Sequence, residues 1–152
     1  MDNSTEVIFL LTEDDDGHAK LATRCLREAG VHNTILRFRD GDEVLGFFYG
    51  DKNGGKIGDN RMEPGQAYLL LLDIRMPRVD GVQVLKQIKA DPNLKNLPII
   101  MLTTTDDSHE IQRCYDLGCN IYVTKPVDFI KFKESIQRLG LLLLVISVPK
   151  IA

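Results

Sequence analysis

Four polar residues follow directly after apolar stretches of the chain, and their types are those of a phosphate site. Asp73 follows four leucines, Glu13 and Asp14 follow an earlier apolar stretch, and Lys125 follows a later one. If the folded chain brings the carboxylates of Glu13, Asp14 and Asp73 within a few ångströms of one another, they repel by about 4 kcal/mol per close pair at an effective dielectric near 20. They must therefore take up protons or bind a hard divalent cation such as Mg²⁺. The set predicts an Mg²⁺-assisted phosphate site.

Each of these side chains has a chemical role in such a site. Asp73 is the predicted nucleophile, which would form an aspartyl phosphate. Mg²⁺ and Lys125 would neutralise the oxygens of the phosphoryl group. The hydroxyl of Thr103, which ends another apolar stretch, could donate a hydrogen bond to one of them. Taken alone, Asp73 could equally cap a turn, and the acidic run 13–16 could be a solvated turn.

Five short apolar segments predict the strands that position these residues. They cover residues 6–12, 34–38, 69–72, 97–103 and 120–124. The four leucines suit a strand that is buried on both faces of a parallel sheet. Between and after the strands, apolar residues recur at helical spacing. The predicted helix positions are Ala19, Ala22, Leu26 and Ala29; Val44, Leu45, Phe47 and Phe48; Val82, Leu85 and Ile88; Ile111, Cys114, Tyr115 and Leu117; and Phe129, Phe132, Ile136, Leu139, Leu143 and Ile146.

The alternation of strand and helix predicts an α/β fold. Short connections and right-handed crossovers give a doubly wound, flavodoxin-like five-stranded parallel sheet flanked by five helices, (βα)5. In such a sheet the carboxyl ends of the strands converge where ligands bind. Asp15 or Asp16 is expected to cap the first helix, Asp40-Gly41-Asp42 to open the second, and Gly30 to end the first.

Length, charge and cysteine use restrict the class of protein. The 152 residues suffice for one domain, and a net charge of −3 predicts no nucleic-acid partner. The N-terminus has no basic region followed by an apolar stretch, and the apolar run 141–146 is too short to span a bilayer. Three cysteines without metal-ligand spacing are typical of reduced thiols. We therefore expect a cytoplasmic protein with no membrane partner.

Residues 50–66 are rich in Gly, Lys, Asp and Asn and predict an exposed loop insertion. Residues 50–56 match the spacing of a phosphate-binding P-loop as far as the lysine. Ile57 then stands where that motif needs Ser or Thr, and no buried strand precedes the glycines. A nucleotide site is therefore not expected here.

Four sequence pieces, in this order, resemble the receiver domains of two-component response regulators. They are the acidic pair Glu13-Asp14, LLLLDIRMPRVDG around Asp73, PIIMLT ending in Thr103, and YVTKP around Lys125. The resemblance covers nearly the whole chain. It implies a signalling module that catalyses only its own phosphorylation and autodephosphorylation.

The resemblance also implies a phosphoryl donor and a metal site. Asp73 would accept the phosphoryl group from a phosphohistidine of a sensor histidine kinase. Mg²⁺ would be bound by Glu13, Asp14, Asp73 and the backbone carbonyl of Arg75. Because four acids are consecutive, Asp15 is the reserve for the second metal ligand.

In such domains a threonine and an aromatic residue form a conformational switch, and Thr103 and Tyr122 occupy these positions. Two departures flank the route of water to the phosphoryl group. Thr104 stands where many receivers carry a smaller residue, and Arg75 is a large side chain two positions after Asp73. Our hypothesis is that autodephosphorylation is slowed.

The segment CNIYVTKPVDFIKF, the long loop and the apolar tail resemble phytochrome-associated response regulators of bacteria and cyanobacteria. These are single-domain receivers that often dimerise through their C-terminal segments. We therefore divide the chain into a receiver domain, residues 1–139, and an apolar C-terminal tail, residues 140–152. The apolar surface of the tail exceeds what one core can readily cover, so we predict a homodimer through the last helix and tail.

Three other functions are compatible with a similar set of residues or with the same fold. A phosphatase of the haloacid-dehalogenase type needs a second Asp at position 75, which is Arg75 here. A flavin-binding module would need a hydroxyl-rich phosphate loop where the acids 13–16 stand. A degenerate receiver would serve for binding only.

His18 lies on the side where kinases dock receivers, although a solvated histidine is the more ordinary interpretation.

Overall fold

The computed structural model describes residues 6–50, 61–76, 79–103, 107–125, 129–143 and 151, without the side chains of 103, 129 and 140–143. It confirms the predicted fold: five parallel strands in the order β2-β1-β3-β4-β5 alternate with five helices. The strands are β1 (Ile8–Thr12), β2 (Ile35–Phe38), β3 (Tyr68–Leu72), β4 (Ile99–Thr103) and β5 (Ile121–Thr124). The helices are α1 (Asp16–Glu28), α2 (Gly41–Tyr49), α3 (Gly81–Ala90), α4 (Ser108–Asp116) and α5 (Phe129–Leu143).

The central strand β3 is buried on both faces, as its four leucines predict. Because side chains alternate along a strand, Leu69 and Leu71 pack into the apolar cluster on one face of the sheet, and Leu70 and Leu72 into that on the other. All four are at most 1% exposed. From Leu69 to Leu72 the strand is therefore apolar on both faces, and the next residue is Asp73.

The register of the sheet brings the predicted site residues to one edge. Thr12 of β1 lies opposite Leu72 of β3, so Glu13 and Asp73 follow at the same height on neighbouring strands. Thr103 lies opposite Thr124 at the end of β5, and Lys125 comes next. All of these residues stand at the carboxyl ends of parallel strands, where open α/β sheets bind ligands.

Aspartates cap four of the helices at their N-termini. The carboxylates of Asp15, Asp40, Asp80 and Asp107 accept backbone N–H groups at the starts of α1, α2, α3 and α4. These bonds satisfy donors that have no partner inside a helix. Of the two predicted caps for α1, the structure selects Asp15.

Several boundaries and faces differ from the sequence prediction. β1 begins at Ile8 rather than at residue 6. Ala29 is the half-buried C-cap of α1, and Cys25 takes the core position instead. Gly30 follows with a φ of 97°, so it ends the helix as predicted. Tyr115 was placed on the apolar side of α4 but is 44% exposed, because its hydroxyl reaches over β5.

The C-terminal end of the predicted loop contacts the end of the predicted tail. The Gly65 N–H donates to the Ile151 carbonyl at 2.9 Å, and the Ile151 N–H donates to the Gln66 carbonyl at 3.1 Å. The Ile151 side chain is 6% exposed and joins the apolar cluster that includes Tyr68. The end of the tail therefore packs on the chain's own core. α5 also continues past residue 139 to Leu143.

Other parts of the predicted loop and tail, residues 51–60, 144–150 and 152, lie outside the described residues, as do Thr104, Pro126 and Asp128. Among the helices that the structure describes, none combines the length and the apolar character that crossing a bilayer requires.

Candidate functional site

A buried ion cluster forms where β1, β3 and β5 end. Lys125 Nζ lies 2.9 Å from Glu13 Oε1 and 3.2 Å from Asp73 Oδ2. Glu13, Asp73 and Lys125 are 3%, 7% and 5% exposed. The prediction that these three residues converge is confirmed, and the ammonium group bridges the two carboxylates.

Glu13 is the carboxyl group most affected by this burial. Desolvation raises its pKa above the ordinary range, the neighbouring Asp73 adds to the rise, and Lys125 opposes it. Among the described residues, Glu13 Oε2 is buried and finds no hydrogen-bond partner. Such an oxygen is costly unless something else contacts it.

Asp14 completes a group of three carboxylates. One oxygen each from Glu13, Asp14 and Asp73 lies within 4.8 Å of the others. Two of these residues are buried and Asp14 is exposed, so the group opens towards solvent on one side. Oxygen ligands with an open side suit Mg²⁺, which keeps several of its waters. The residues present therefore fit the predicted cation.

The other two acids of the run are used elsewhere. The Asp15 carboxylate accepts the His18 N–H at 2.8 Å as the cap of α1, and this bond lowers its pKa. Asp16 Oδ1 lies 2.6 Å from Arg37 Nη1 and 2.8 Å from Arg39 Nη1. These contacts also lower the pKa of Asp16.

The backbone around Asp73 fixes the orientation of its carboxylate. The Asp73 N–H donates to the Thr12 carbonyl at 3.1 Å, and the Arg75 N–H donates to Asp73 Oδ1 at 3.2 Å. Gly81, the first residue of α3, lies against the Asp73 carbonyl and donates its N–H to the Ile74 carbonyl at 2.9 Å. The helix therefore packs directly on the turn that follows Asp73.

The two predicted switch residues lie on the strands beyond β3. Thr103 is the last residue of β4, and its side chain is outside the described part of the structure. Tyr122 is half-buried on β5, and burial raises the pKa of its phenol. Its N–H donates to the Tyr115 hydroxyl at 3.1 Å, which links β5 to α4.

An open groove of about 700 Å³ lies beside the cluster, between the turn after β3 and α4. Asp14, Arg75 and Glu110 are among the residues that line it. The Arg75 guanidinium lies 3.6 Å from Glu110 Oε2, so an ion pair joins the two walls.

Two contacts at the site were not predicted from the sequence. His18 Nδ1 lies 3.1 Å from Glu13 Oε1 although the His18 side chain is 50% exposed. Arg37 donates to the backbone of the acidic run, which no local pattern signals. The only cue in the sequence is an arginine near the end of the second predicted strand, while the acids follow the first.

Comparison with known proteins agrees with the resemblance that the sequence shows. A sequence model described as the response regulator receiver domain matches residues 9–137. The crystal structure of a response regulator receiver domain from Rhodospirillum rubrum is 44% identical, with a TM-score of 0.86 over 95% of this chain and 98% of that one.

Two cyanobacterial proteins are also similar. Response regulator Rcp1 of Synechocystis sp. is 30% identical over 133 residues, 86% of each chain. The Mn²⁺-bound crystal structure of Rcp1 superposes with a TM-score of 0.77 at 27% identity, covering 95% of this chain and 99% of that one. The phosphorylated cyanobacterial phytochrome response regulator RcpA gives 0.79 at 29% identity, covering 96% and 99%.

Proposed function

The chain belongs to the response regulator receiver domains of two-component signalling, and from this membership we propose that it accepts a phosphoryl group on Asp73 from a sensor histidine kinase. Receiver domains are signalling domains rather than conventional enzymes, and they interact with such kinases. Family membership removes the support for the phosphatase and flavin-binding alternatives. The degenerate receiver is the alternative that experiment must decide.

One observation carries the proposal: the Lys125 ammonium bridges the Glu13 and Asp73 carboxylates at the ends of buried strands. In the transfer, an Asp73 carboxylate oxygen bonds to phosphorus while the P–N bond to the kinase imidazole breaks, and the electron pair leaves with the imidazole. Lys125 is already within 3.2 Å of the nucleophilic carboxylate, so its charge offsets that of the transferring group.

Mg²⁺ is the proposed cofactor, held by Glu13, Asp14, Asp73 and the backbone carbonyl of Arg75. When bound, it would neutralise charge on the phosphoryl oxygens. The unpartnered Glu13 Oε2 supports this assignment. So do the contacts of Asp15 and Asp16, which commit these two acids to the helix cap and to arginines. The relative Rcp1 has been crystallised with Mn²⁺.

Phosphorylation is proposed to act on the rest of the molecule through Thr103 and Tyr122. Thr103 is the last residue of β4, which pairs with β3, and Asp73 directly follows β3. The Tyr122 N–H is bonded to the Tyr115 hydroxyl on α4. A change in the position of Tyr122 would therefore alter the packing of α4 against β5.

The proposed input is a bacteriophytochrome kinase, because RcpA is described as a phytochrome response regulator. This assignment predicts faster transfer from a phosphorylated bacteriophytochrome kinase than from an unrelated sensor kinase. Equal rates would contradict it. We further propose a cytoplasmic homodimer that forms through α5 and the tail.

The central proposal is tested by intact-mass spectrometry after incubation with acetyl phosphate and Mg²⁺. We expect one added phosphoryl group in the wild type, none in Asp73→Asn, and none without Mg²⁺. Asp116→Asn, which changes an aspartate of α4 instead, is the matched control and should retain the adduct.

A wild type that gains no adduct is then incubated with beryllofluoride, which imitates a short-lived phosphoryl group. Binding of beryllofluoride would show a working site with rapid loss of phosphate. Failure of both probes would refute the proposal and leave a degenerate receiver.

A further inference from the structure

The Arg37 side chain, on β2, bonds to the backbone of two residues of the acidic run. Its Nη2 donates to the Glu13 carbonyl at 2.8 Å and its Nε to the same oxygen at 3.2 Å. Nη2 also lies 3.4 Å from the Asp14 carbonyl. Nη1 completes the set with the Asp16 carboxylate at 2.6 Å. One guanidinium therefore spans the whole connection between β1 and α1.

Residues of the edge strand β2 bond to both the N–H group and the carbonyl group of Glu13. The Glu13 N–H donates to the Phe38 carbonyl at 3.0 Å, and the Glu13 carbonyl accepts from Arg37. The Arg37 side chain is 24% exposed, so solvent competes only partly for these bonds. With its backbone held, the Glu13 side chain is aimed at Lys125 and Asp73.

We propose that Arg37 is a positioning residue for the metal site: it fixes the backbone of Glu13 and Asp14 so that their carboxylates meet the Asp73 carboxylate. The proposal rests on the function proposed above, in which these three residues bind Mg²⁺. Arg37 itself touches neither the metal nor the phosphoryl group. It acts through the main chain that carries two of the ligands.

The geometry separates positioning from a purely electrostatic effect, because the two have opposite signs. A nearby positive charge repels a cation, so removal of the charge alone would tighten metal binding. Loss of the guanidinium fork would loosen the run and weaken binding. A lysine keeps the charge but lacks the planar fork of donors that reaches Glu13, Asp14 and Asp16 together.

Arg39 provides a matched control on the same surface. Its Nη1 bonds to Asp16 Oδ1 at 2.8 Å, so it shares one partner with Arg37. None of its side-chain bonds in the described residues reaches the backbone of Glu13 or Asp14. Arg39→Gln therefore removes a nearby charge and one contact of Asp16 without releasing the metal ligands.

The test is Mn²⁺ titration of the metal-free protein, followed by electron paramagnetic resonance of the free ion. We expect Arg37→Lys and Arg37→Gln each to weaken binding about tenfold, the range in which outer partners of metal ligands act. Arg39→Gln, which removes a nearby positive charge without releasing the ligand backbone, should bind Mn²⁺ at least as tightly as the wild type does. The phosphorylation rate of Arg37→Lys should recover at saturating Mg²⁺, because the lost step is binding. Thermal melting of the metal-free variants shows whether each is folded.

Asp16→Asn is a second variant that leaves Arg37 in place and removes one of its anchors. It should weaken Mn²⁺ binding relative to the wild type, and this comparison keeps the proposal testable where an Arg37 variant fails to fold. Unchanged or tighter binding in folded Arg37→Gln would overturn the positioning role.

Failure of the proposed function is distinguishable from failure of this inference. A wild type that binds Mn²⁺ more tightly than its Arg37 variants do, but accepts no phosphoryl group, refutes only the function. A wild type that is phosphorylated while its Arg37 variants bind Mn²⁺ normally refutes only the inference.

Discussion

At the scale of single residues, Lys125 is the cation that keeps two buried carboxylates together. Without it, Glu13 and Asp73 would lose their shared partner while remaining in an apolar surrounding. We expect Lys125→Met to lower the free energy of unfolding by about 2 kcal/mol, less than a typical broken buried pair because Glu13 can take up a proton. Mg²⁺ should restore more stability to this variant than it adds to the wild type.

Urea denaturation with and without Mg²⁺ measures both effects. Lys20→Met, at an exposed position on α1, is the matched control and should change neither value. Equal stabilisation of wild type and Lys125→Met by Mg²⁺ would show that the ammonium and the metal do not share the same carboxylates.

Arg75 is the residue at which the lifetime of the phosphorylated protein can be tested within the described structure. Its guanidinium pairs with Glu110 across the groove beside Asp73. If this side chain obstructs water, Arg75→Ala should shorten the lifetime several-fold. Glu110→Gln should shorten it less, because it removes the tether but not the side chain. The measurement is loss of the phosphoryl adduct by intact mass after acetyl phosphate is removed.

An unchanged lifetime in Arg75→Ala would refute the hypothesis that Arg75 slows autodephosphorylation. Thr104→Ala tests the second flanking position in the same assay. An unchanged lifetime in that variant would remove Thr104 from the explanation.

Residue type and strand position together predicted the centre of the site but not its support. Glu13, Asp73 and Lys125 converge because each directly follows a strand of the parallel sheet, and the sequence displays these strands as apolar segments. The bond from Arg37 to the Glu13 carbonyl joins residues 24 positions apart, and no periodic pattern reports it. The contact of His18 with Glu13 was likewise missed, because a half-exposed histidine has no sequence signature.

At the scale of elements, α3 must approach the turn after β3 so closely that only glycine fits at its first position. A Cβ on Gly81 would overlap the Asp73 carbonyl oxygen and crowd Ile74. Neither obstacle is a flexible side chain, so the helix would have to move. We expect Gly81→Ala to cost about 2 kcal/mol of unfolding free energy and to reduce phosphorylation of Asp73.

The control is Gly17→Ala in the first turn of α1, where the nearest atom to a Cβ is a carboxylate oxygen of Asp15 at 3.2 Å. Helix propensity favours alanine there, so the stability should change by less than about 1 kcal/mol. Urea denaturation gives the free energies and intact mass gives the extent of phosphorylation. A Gly81→Ala protein with wild-type values of both would contradict the packing argument.

The interiors of elements were predicted more accurately than their ends. β3 is fully buried, as four consecutive leucines require. The prediction that Tyr115 belongs to the apolar side of α4 was wrong, because its hydroxyl accepts the Tyr122 N–H on the edge strand β5. Ala29 fails as a core residue because α1 ends there. Such outcomes depend on neighbours in space, which helical spacing does not encode.

At the scale of the whole molecule, the C-terminal tail has two possible uses for its apolar surface. Ile151 is buried in the chain's own core and pairs with the backbone at Gly65 and Gln66. This contact uses one residue, whereas the apolar run extends over residues 141–146. The sequence predicted an intermolecular role for the tail and did not predict the contact of Ile151 within the chain.

Sedimentation equilibrium of the full chain, a chain truncated after Leu139, and Ile151→Ala separates these two uses. If α5 and the tail form the dimer contact, the full chain and Ile151→Ala are dimers and the truncated chain is a monomer. Ile151→Ala should then lose only stability, about 2 kcal/mol for a buried isoleucine. A truncated chain that remains a dimer would refute the contact. A full chain that is monomeric at every concentration, together with a destabilised Ile151→Ala, would assign the tail to the core of its own chain, because its apolar residues would then stabilise only the monomer.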